Sequence, residues 1–288
     1  MRKISFFVFA LVLLVYACGE NSKTPNNQGD IPTDTINLGN KGAPDGKDVQ
    51  ITDADKEMAL SDSNYLVPSP GEVLDALNRL ESIEWSTIMD YNEQTNYSDK
   101  ASRALNLGIR IADSFVAIND KDKDNFGKMS AAIFELGDAL NVGSILTDKR
   151  DDLEELAGKG EWNKMGVSIN GIHNDIQMAI EDAGEDDLVS LASVGGWIEG
   201  LRIVSSHLVT NYSADNAGLL NQADLIKYYQ RKIALVKNDS KVVKEVKVGL
   251  DKIVTILEKT NSDKALSQAD VKTLQTISQG LIDAITQS

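Results

Sequence analysis

The chain has 288 residues, a formal net charge of −15 at pH 7 and a single cysteine, Cys18. A strongly acidic chain repels phosphate groups, which excludes DNA and RNA as partners and argues against binding to anionic lipid headgroups. One cysteine cannot form an internal disulfide, a CxxC redox pair or a multi-cysteine metal site, so those function classes are excluded as well.

The first seventeen residues have the pattern of a secretory signal peptide. Arg2 and Lys3 form a basic start, and residues 4–17 are an uncharged apolar run. This run is shorter than the ~20 residues that a transmembrane helix needs, but it has the length of a signal-peptide core. We therefore expect cleavage of residues 1–17 after the small residue Ala17, with Cys18 as the first residue of the mature chain.

The four residues at that cleavage site, Val15-Tyr16-Ala17-Cys18, resemble the lipobox of bacterial lipoproteins. Val at the first position and Tyr at the second depart from the commonest form of the motif. The resemblance implies that the thiol of Cys18 carries a diacylglycerol, that a peptidase cuts before it, and that the new amine is acylated. This lipid is the only attached group expected, with no other cofactor. The alternatives are an ordinary secretory signal with a chance cysteine and an uncleaved anchor.

Lipidation of Cys18 would hold the chain at a membrane, since two or more acyl chains bind firmly where one binds only marginally. The mature chain would have a net charge of −17, because Arg2 and Lys3 leave with the signal peptide. In lipoproteins of enteric bacteria, Asp directly after the lipidated cysteine favours retention of the protein in the inner membrane. This chain has Gly19 at that position, which favours the outer membrane of the bacterial cell envelope. The sequence leaves open whether the periplasmic or the surface face is occupied.

Residues 18–65 are predicted to form the lipidated N-terminus and a flexible, disordered linker. The stretch is rich in Asn, Gly, Asp, Thr and Lys and nearly free of aromatic residues, so it lacks the apolar surface that a core requires. All five prolines of the chain lie at or before residue 70. The linker would act as a spacer between the membrane and the body.

Residues 66–288 are predicted to form one all-α domain of about eight or nine helices. No proline follows Pro70, and proline breaks helix interiors. A capping-box pattern, Ser69-Pro70-Gly71-Glu72, predicts a first helix that continues through Ile88. Apolar residues at helical spacing predict further helices at 98–119, 123–142, 147–158, 161–183, 186–210, 214–237, 239–259 and 267–287.

The last two of these helices, within residues 239–287, are predicted to form an antiparallel hairpin. Their apolar residues follow the alternating three- and four-residue steps of packed helices, and Ser267-Gln268-Ala269-Asp270 has the pattern of an N-terminal cap. The stripe consists of Val243, Val246, Leu250, Ile253, Leu257, Leu274, Ile277 and Leu281. The hairpin would either pack on the body or present this stripe to a partner.

Most motifs that suggest chemistry fail on inspection. Asp120, Asp122 and Asp124 imitate a calcium loop, but the chain has Asn125 where that loop requires Gly and Ala131 where it requires Glu. We interpret this segment as a turn between helices. The two histidines, His173 and His207, lack the spacing of a zinc motif, and no GxSxG elbow is present. The sequence thus predicts neither a catalytic residue nor a metal ligand.

The most unusual stretch of the body is residues 193–208, where three glycines interrupt a helical apolar pattern. Glycines in a helix cost stability and usually indicate that something approaches the backbone closely. One interpretation is tight helix packing with an internal ion pair between Glu199 and Arg202. The other is a ligand pocket formed by Gly195, Gly196, Gly200, Trp197, Glu199 and Arg202, together with Arg110 and His173.

Three segments, "PSPGEVLDAL", "ALNLGIRIAD" and "VGGWIEGL", resemble in order and spacing an uncharacterised family of helical lipoproteins from Bacteroidota-type bacteria. The resemblance covers about residues 66–235 and leaves the C-terminal hairpin outside. It implies the fold and the location, and no activity.

The sequence favours a non-enzymatic, membrane-anchored envelope lipoprotein, a helical module that binds a protein or small-molecule ligand or has a structural role. The alternative is an envelope hydrolase or metal-binding protein that uses Glu199 with a histidine. A histidine within about 4 Å of Glu199 or another carboxylate, in an open cleft, would favour that alternative.

Overall fold

The structure is a computed structural model and describes residues 83–259 and 265–288. Within these ranges the regular elements are all helical, which confirms the predicted all-α class. The eight main helices are α1 (Lys100–Asp120), α2 (Lys123–Ala139), α3 (Thr147–Lys159), α4 (Trp162–Asp182), α5 (Asp186–Thr210), α6 (Ala223–Leu235), α7 (Lys241–Leu257) and α8 (Gln268–Thr286). The signal peptide, Cys18, the linker and the start of the domain at residue 66 lie outside the described residues and stay predictions.

Polar side chains fix the starts of four helices. The side chains of Asp99, Asp122, Ser240 and Ser267 each accept a hydrogen bond from a backbone N–H in the first turn of α1, α2, α7 and α8. The cap of α8 is a full capping box, because Asp270 accepts from the backbone of Ser267 in return. The predicted cap of this helix is therefore confirmed.

Two predicted helices are wrong in extent. The helix predicted at 214–237 is divided into a short turn, Ala214–Ala217, a 3-10 turn, Gly218–Leu220, and α6. The break follows Gly218, which is a weak helix former, and backbone bonds tighten the turn there. The helix predicted through Ile88 is not helical at its described end, where a 3-10 turn, Trp85–Thr87, leads into irregular chain up to residue 97.

Helices α1 and α5 form the centre of the domain. Helix α1 contacts α2 and α4 in addition to α5, and α5 contacts α6 and α8. Helix α5 has the length and apolar composition of a membrane-spanning helix, but 72% of its apolar window is buried inside the domain. Central helices of soluble domains commonly have the same composition.

The backbones of α1 and α5 are in direct contact at three glycines. A Cβ atom added at Gly108 would lie 1.8 Å from the carbonyl oxygen of Ala192, and one at Gly195 would lie 2.1 Å from that of Leu105. At Gly196 the added atom would lie 3.1 Å from the carbonyl oxygen of Gly108. Any side chain at the first two positions would push the helices apart.

The C-terminal hairpin is present and packs on the body, which confirms the first of its two predicted arrangements. Gly249 of α7 lies against Leu281 of α8, so the two helices pack on each other. Helix α8 also packs on α5 and α1, where the side-chain amide of Asn106 donates to the carbonyl oxygen of Ile285 at 2.9 Å.

Candidate functional site

Residues 83–99, here called the strap, run across the central helix pair before α1 begins. Trp85 and Tyr97 of the strap are buried in the main core. At its outer side Glu93 pairs with Lys128 of α2 at 2.9 Å, and the hydroxyl of Thr95 donates to Glu135 at 2.6 Å. The strap is therefore joined to the domain by apolar and polar contacts although it has little regular structure.

Four charged side chains lie buried beneath the strap, and we call them the charge quartet. Arg110 and Asp113 come from α1, and Glu199 and Arg202 come from α5. Their exposed fractions are 1%, 3%, 2% and 5%, respectively. Residues three apart share one face of a helix, and the glycine contact brings the two faces together. Buried charges without partners are costly, so the contacts within the quartet decide whether it is stable.

Arg202 and Glu199 form a bidentate ion pair with two hydrogen bonds. Its Nε donates to Oε2 at 2.8 Å, and its Nη2 donates to Oε1. Its Nη1 donates to the carbonyl oxygen of Ile88 at 2.9 Å, and Nη2 lies 3.8 Å from the sulfur of Met89. The predicted ion pair between Glu199 and Arg202 is therefore confirmed, and the same guanidinium also holds the strap.

Arg110 is held less tightly. Its Nη1 lies 3.4 Å from Oδ2 of Asp113, and its Nη2 donates to the hydroxyl of Tyr97 at 3.2 Å. Its Nε is buried without a hydrogen-bond partner among the described residues. Arg110 thus links α1 to the other end of the strap through longer contacts than those of Arg202.

The electrostatics of the quartet favour a neutral Asp113. Burial raises the pKa of Asp113 well above its ordinary value, the charge of Glu199 raises it further, and Arg110 and Arg202 partly oppose both effects. Burial and these acids raise the pKa of Tyr91, whose buried hydroxyl lacks a hydrogen-bond partner within the described ranges.

The other residues of the predicted pocket do not join this cluster. Trp197 faces α6, with its indole N–H donating to Gln222 at 3.1 Å and its ring 5.9 Å from that of Tyr229. Gly200 has open space beside it, whereas Gly195 and Gly196 face the backbone of α1. The structure therefore brings together Glu199, Arg202 and Arg110 of the predicted set, and fills the space over two of the glycines with helix backbone.

Neither histidine pairs with a carboxylate in the described part of the chain. His173 lies on α4, partly buried, and burial lowers its pKa to about 4. His207 is buried at the end of α5, where its Nδ1 lies 3.4 Å from the amide nitrogen of Asn211, and burial lowers its pKa as well. Both environments favour the neutral imidazole.

The described residues contain no group of three or more His, Cys, Asp or Glu side chains arranged to hold a metal ion. Asp122, part of the calcium-like segment, instead caps α2 by accepting from the backbone N–H of Asn125 at 3.0 Å. The segment is therefore a turn between α1 and α2, as the sequence predicts.

Sequence reasoning missed the contribution of the strap to this site. Tyr91, Tyr97 and the carbonyl oxygen of Ile88 reach the quartet from chain that lacks helical periodicity. The one signal in the sequence is that Arg110 and Asp113 interrupt an apolar run. Buried polar side chains need hydrogen-bond partners, so this signal indicates that other segments of the chain supply them.

A second feature is a groove of about 790 Å³ between α7 and α8. Its apolar lining includes Val248, which is 53% exposed, and Ile277 and Leu281. Three lysines line the α7 side, and no charged residue lines the α8 side; the lysines are Lys241, Lys244 and Lys252. Two acids accompany them in solvent-exposed pairs with N–O distances of 3.6 Å.

Comparisons of the chain with protein-family profiles, with curated proteins and with solved structures found no match.

Proposed function

We propose that this chain is a lipid-anchored, helical binding protein of the bacterial cell envelope. The observation that carries the proposal is the position of its one cysteine, directly after a basic start, an apolar run of signal-peptide length and a small residue. The all-helical body is compatible with a module that is held at a membrane by an N-terminal lipid and binds through its surface. The outer membrane is the proposed location, on the basis of Gly19.

Metabolic labelling with a palmitate analogue tests the anchor. The wild-type chain should incorporate the label, and Cys18→Ser should abolish it and release the protein into the soluble fraction. Gly19→Asp is the matched variant, because it should keep the label and move the protein toward the inner membrane. Label in Cys18→Ser, or none in the wild type, would contradict the proposal. Protease treatment of intact cells then distinguishes the two faces of the membrane.

The groove between α7 and α8 supports a binding role for the body. An apolar lining with a lysine rim suits an amphipathic helix that carries acidic residues on its polar side. Three lysines and two acids give the groove lining a net charge of +1 in a chain whose net charge is −15, so charge complementarity favours this partner. We therefore propose an acidic amphipathic helix of another protein as the occupant.

Binding of a synthetic probe tests this assignment. The probe is a helical peptide with a leucine stripe and glutamates on its polar side, and a second peptide with lysines in their place is the matched control. Fluorescence anisotropy should show that the acidic peptide binds and the lysine peptide does not. Salt should weaken this binding. The double variant Lys244→Glu with Lys252→Glu should raise the dissociation constant at least about tenfold. Lys159→Glu on α3 should leave binding unchanged. Equal binding of both peptides would exclude the proposed partner.

The contacts of Glu199 are the reason to prefer binding over hydrolysis. Both carboxylate oxygens accept hydrogen bonds from Arg202, and the side chain is 2% exposed. A general base must lie within hydrogen-bonding reach of its substrate, and this carboxylate is buried and held by Arg202. This environment fits a structural acid, and the hydrolase alternative would require both the strap and Arg202 to move.

A further inference from the structure

The groove between α7 and α8 is lined by two glycines, and only one of them is covered by the protein itself. A Cβ atom added at Gly249 of α7 would lie 2.5 Å from a methyl carbon of Leu281, so this leucine packs directly on bare helix backbone. Gly280 of α8 is exposed, and a Cβ atom added there would meet no neighbouring atom of the described residues within 4 Å. The packing of the two helices therefore explains Gly249 but not Gly280.

Gly280 lies in the interior of its helix, where glycine is unfavourable. Helix α8 spans Gln268–Thr286, and glycine in a helix interior lowers stability relative to alanine. Gly280 does not have a positive φ, and no other backbone approaches it closely. Neither conformation nor packing within the described residues requires glycine at this position. Its effect on the molecule is the recess that it leaves in the lining of the groove.

Apolar side chains line the same groove as this recess. Val248 of α7 is 53% exposed, and Ile277 of α8 is partly buried. A large apolar side chain that packs on Gly280 would remove apolar surface of the groove from water, which favours binding. Such packing of one side chain into a gap on a facing helix is the usual way in which helices interlock. Leu281 on Gly249 is an example of the same contact within the chain.

The charges of the groove lie on one side of the recess. Lys241, Lys244 and Lys252 belong to α7, whereas the lining residues of α8 are uncharged. Acids on the flank of a bound helix that faces α7 would meet these lysines. Acids on the other flank would lose hydration over α8 without gaining a partner. The groove therefore favours a helix whose apolar stripe faces α8 and whose acids lie on the single flank beside α7.

We infer that Gly280 is the specificity-determining residue of the groove: the bare backbone at this position receives one leucine-sized apolar side chain of the acidic partner helix. The inference rests on the proposed function, because it takes an acidic amphipathic helix of another protein as the occupant. The lysines of α7 select the charge of the partner, and Gly280 selects a large side chain at one position of its apolar stripe. A side chain at residue 280 would occupy the space that the partner's side chain needs.

Binding of the acidic leucine-stripe peptide to the full chain tests the inference, together with a set of peptides in which each leucine in turn is replaced by alanine. Gly280→Leu fills the recess and should raise the dissociation constant of the parent peptide at least about tenfold. One alanine peptide of the set should bind Gly280→Leu within about threefold of the affinity of the parent peptide for the wild type, because the gap then lies on the peptide. Gly127→Leu, at the exposed and equally open glycine of α2, should leave every dissociation constant unchanged.

Equal binding of the parent peptide by Gly280→Leu and the wild type would overturn the inference and leave the acidic partner in place. A loss that no alanine peptide restores would also overturn it, as would the same loss in Gly127→Leu. If the wild type does not bind the parent peptide, the proposed partner is wrong and the inference fails with it. Gly280→Ala is a second variant if Gly280→Leu does not fold. Its dissociation constant should exceed that of the wild type, and an unchanged value would overturn the inference.

Discussion

Arg202 is the residue with the most varied contacts in the buried site. It neutralises Glu199, donates to a strap carbonyl and lies beside Met89, while only 5% of its surface is exposed. Buried ion pairs contribute little net stability when complete, because both charges lose their hydration. Removal of one partner is different, since it leaves the other charge buried and unpaired.

Replacement of Arg202 by Met should therefore lower the free energy of unfolding by about 3–5 kcal/mol. Glu199 would be left without its bidentate donor, and the carbonyl oxygen of Ile88 would lose its hydrogen bond. Urea unfolding measures the change. Lys149→Met, at a partly exposed pair with Asp175, is the control and should change stability by less than about 1 kcal/mol. If Arg202→Met lowered the free energy of unfolding by less than about 1 kcal/mol, the buried arrangement of Arg202 and Glu199 would be contradicted.

His173 makes the stability of the domain depend on pH. Its pKa falls from 6.5 to about 4 on folding because of burial. The unfolded chain therefore binds the proton more tightly between these values, and stability should decrease as the pH falls through that interval. His173→Gln should flatten this part of the stability profile and leave stability at pH 7 nearly unchanged. An identical slope in both proteins would show that His173 is accessible to solvent.

At the level of the helices, the contact between α1 and α5 depends on residues without side chains. Gly108 of α1 lies directly against the carbonyl group of Ala192, so a methyl group there has no space and the clash is with rigid backbone. Gly127 of α2 is also helical, but a Cβ atom at that position would have nothing within 4 Å. The two glycines therefore provide a matched pair for substitution.

Gly108→Ala should destabilise the domain by about 3 kcal/mol or more, because α1 and α5 would have to move apart. Gly127→Ala should stabilise it by about 0.5–1 kcal/mol, since alanine is the better helix former and meets no neighbour. Thermal and urea unfolding of the two variants measure whether each substitution lowers or raises the free energy of unfolding. Equal stabilities for Gly108→Ala and the wild type would mean that the two backbones are not in contact.

The helices themselves are largely predictable because their signals are local. Absence of proline, the cap at Ser267 and regular apolar spacing mark α8 within a residue or two, and the ion pair of Glu199 with Arg202 follows from spacing within one helix. The glycines at 195 and 196 likewise indicate close packing, but they do not identify the partner. Gly108 meets Ala192 through the tertiary fold alone.

The predictions that failed depend on long-range contacts or on weak local signals. Leu219, Leu220, Leu225 and Ile226 have spacings that a continuous helix would also show, yet the chain turns after Gly218. The strap has no period from which its path could be inferred, so its contacts with Arg110 and Arg202 are invisible in the sequence. Proximity in sequence predicts that Trp197 and Glu199 line one pocket, but a helix directs side chains two residues apart to different faces.

At the scale of the whole domain, one hydrophobic core connects the strap with all eight helices. Helix α3 contributes only Leu153 to the fully buried set, whereas α1 and α5 contribute residues along nearly their whole lengths. A core of this kind favours cooperative unfolding, since no group of helices has a separate interior. The C-terminal hairpin is the critical test, because α7 contacts mainly α6 and α8.

The three tryptophans make that test direct. Trp85, Trp162 and Trp197 lie in the strap, α4 and α5, so the hairpin contributes helical circular dichroism but no tryptophan fluorescence. Leu274 of α8 and Ile172 of α4 are both 0% exposed, and replacement of either by Ala should cost about 2–5 kcal/mol. In each variant the urea midpoints from fluorescence and from circular dichroism should fall together.

Leu274→Ala distinguishes this expectation from independent unfolding of the hairpin. If α7 and α8 were a separate cooperative unit, circular dichroism would show a first transition at low urea while fluorescence kept its wild-type midpoint. Ile172→Ala would then shift the fluorescence transition alone. Because α8 packs on both α5 and α1, and Asn106 of α1 donates to the carbonyl oxygen of Ile285, loss of the hairpin would expose the central helices. We therefore expect a single transition in both variants, with equal midpoints by the two signals.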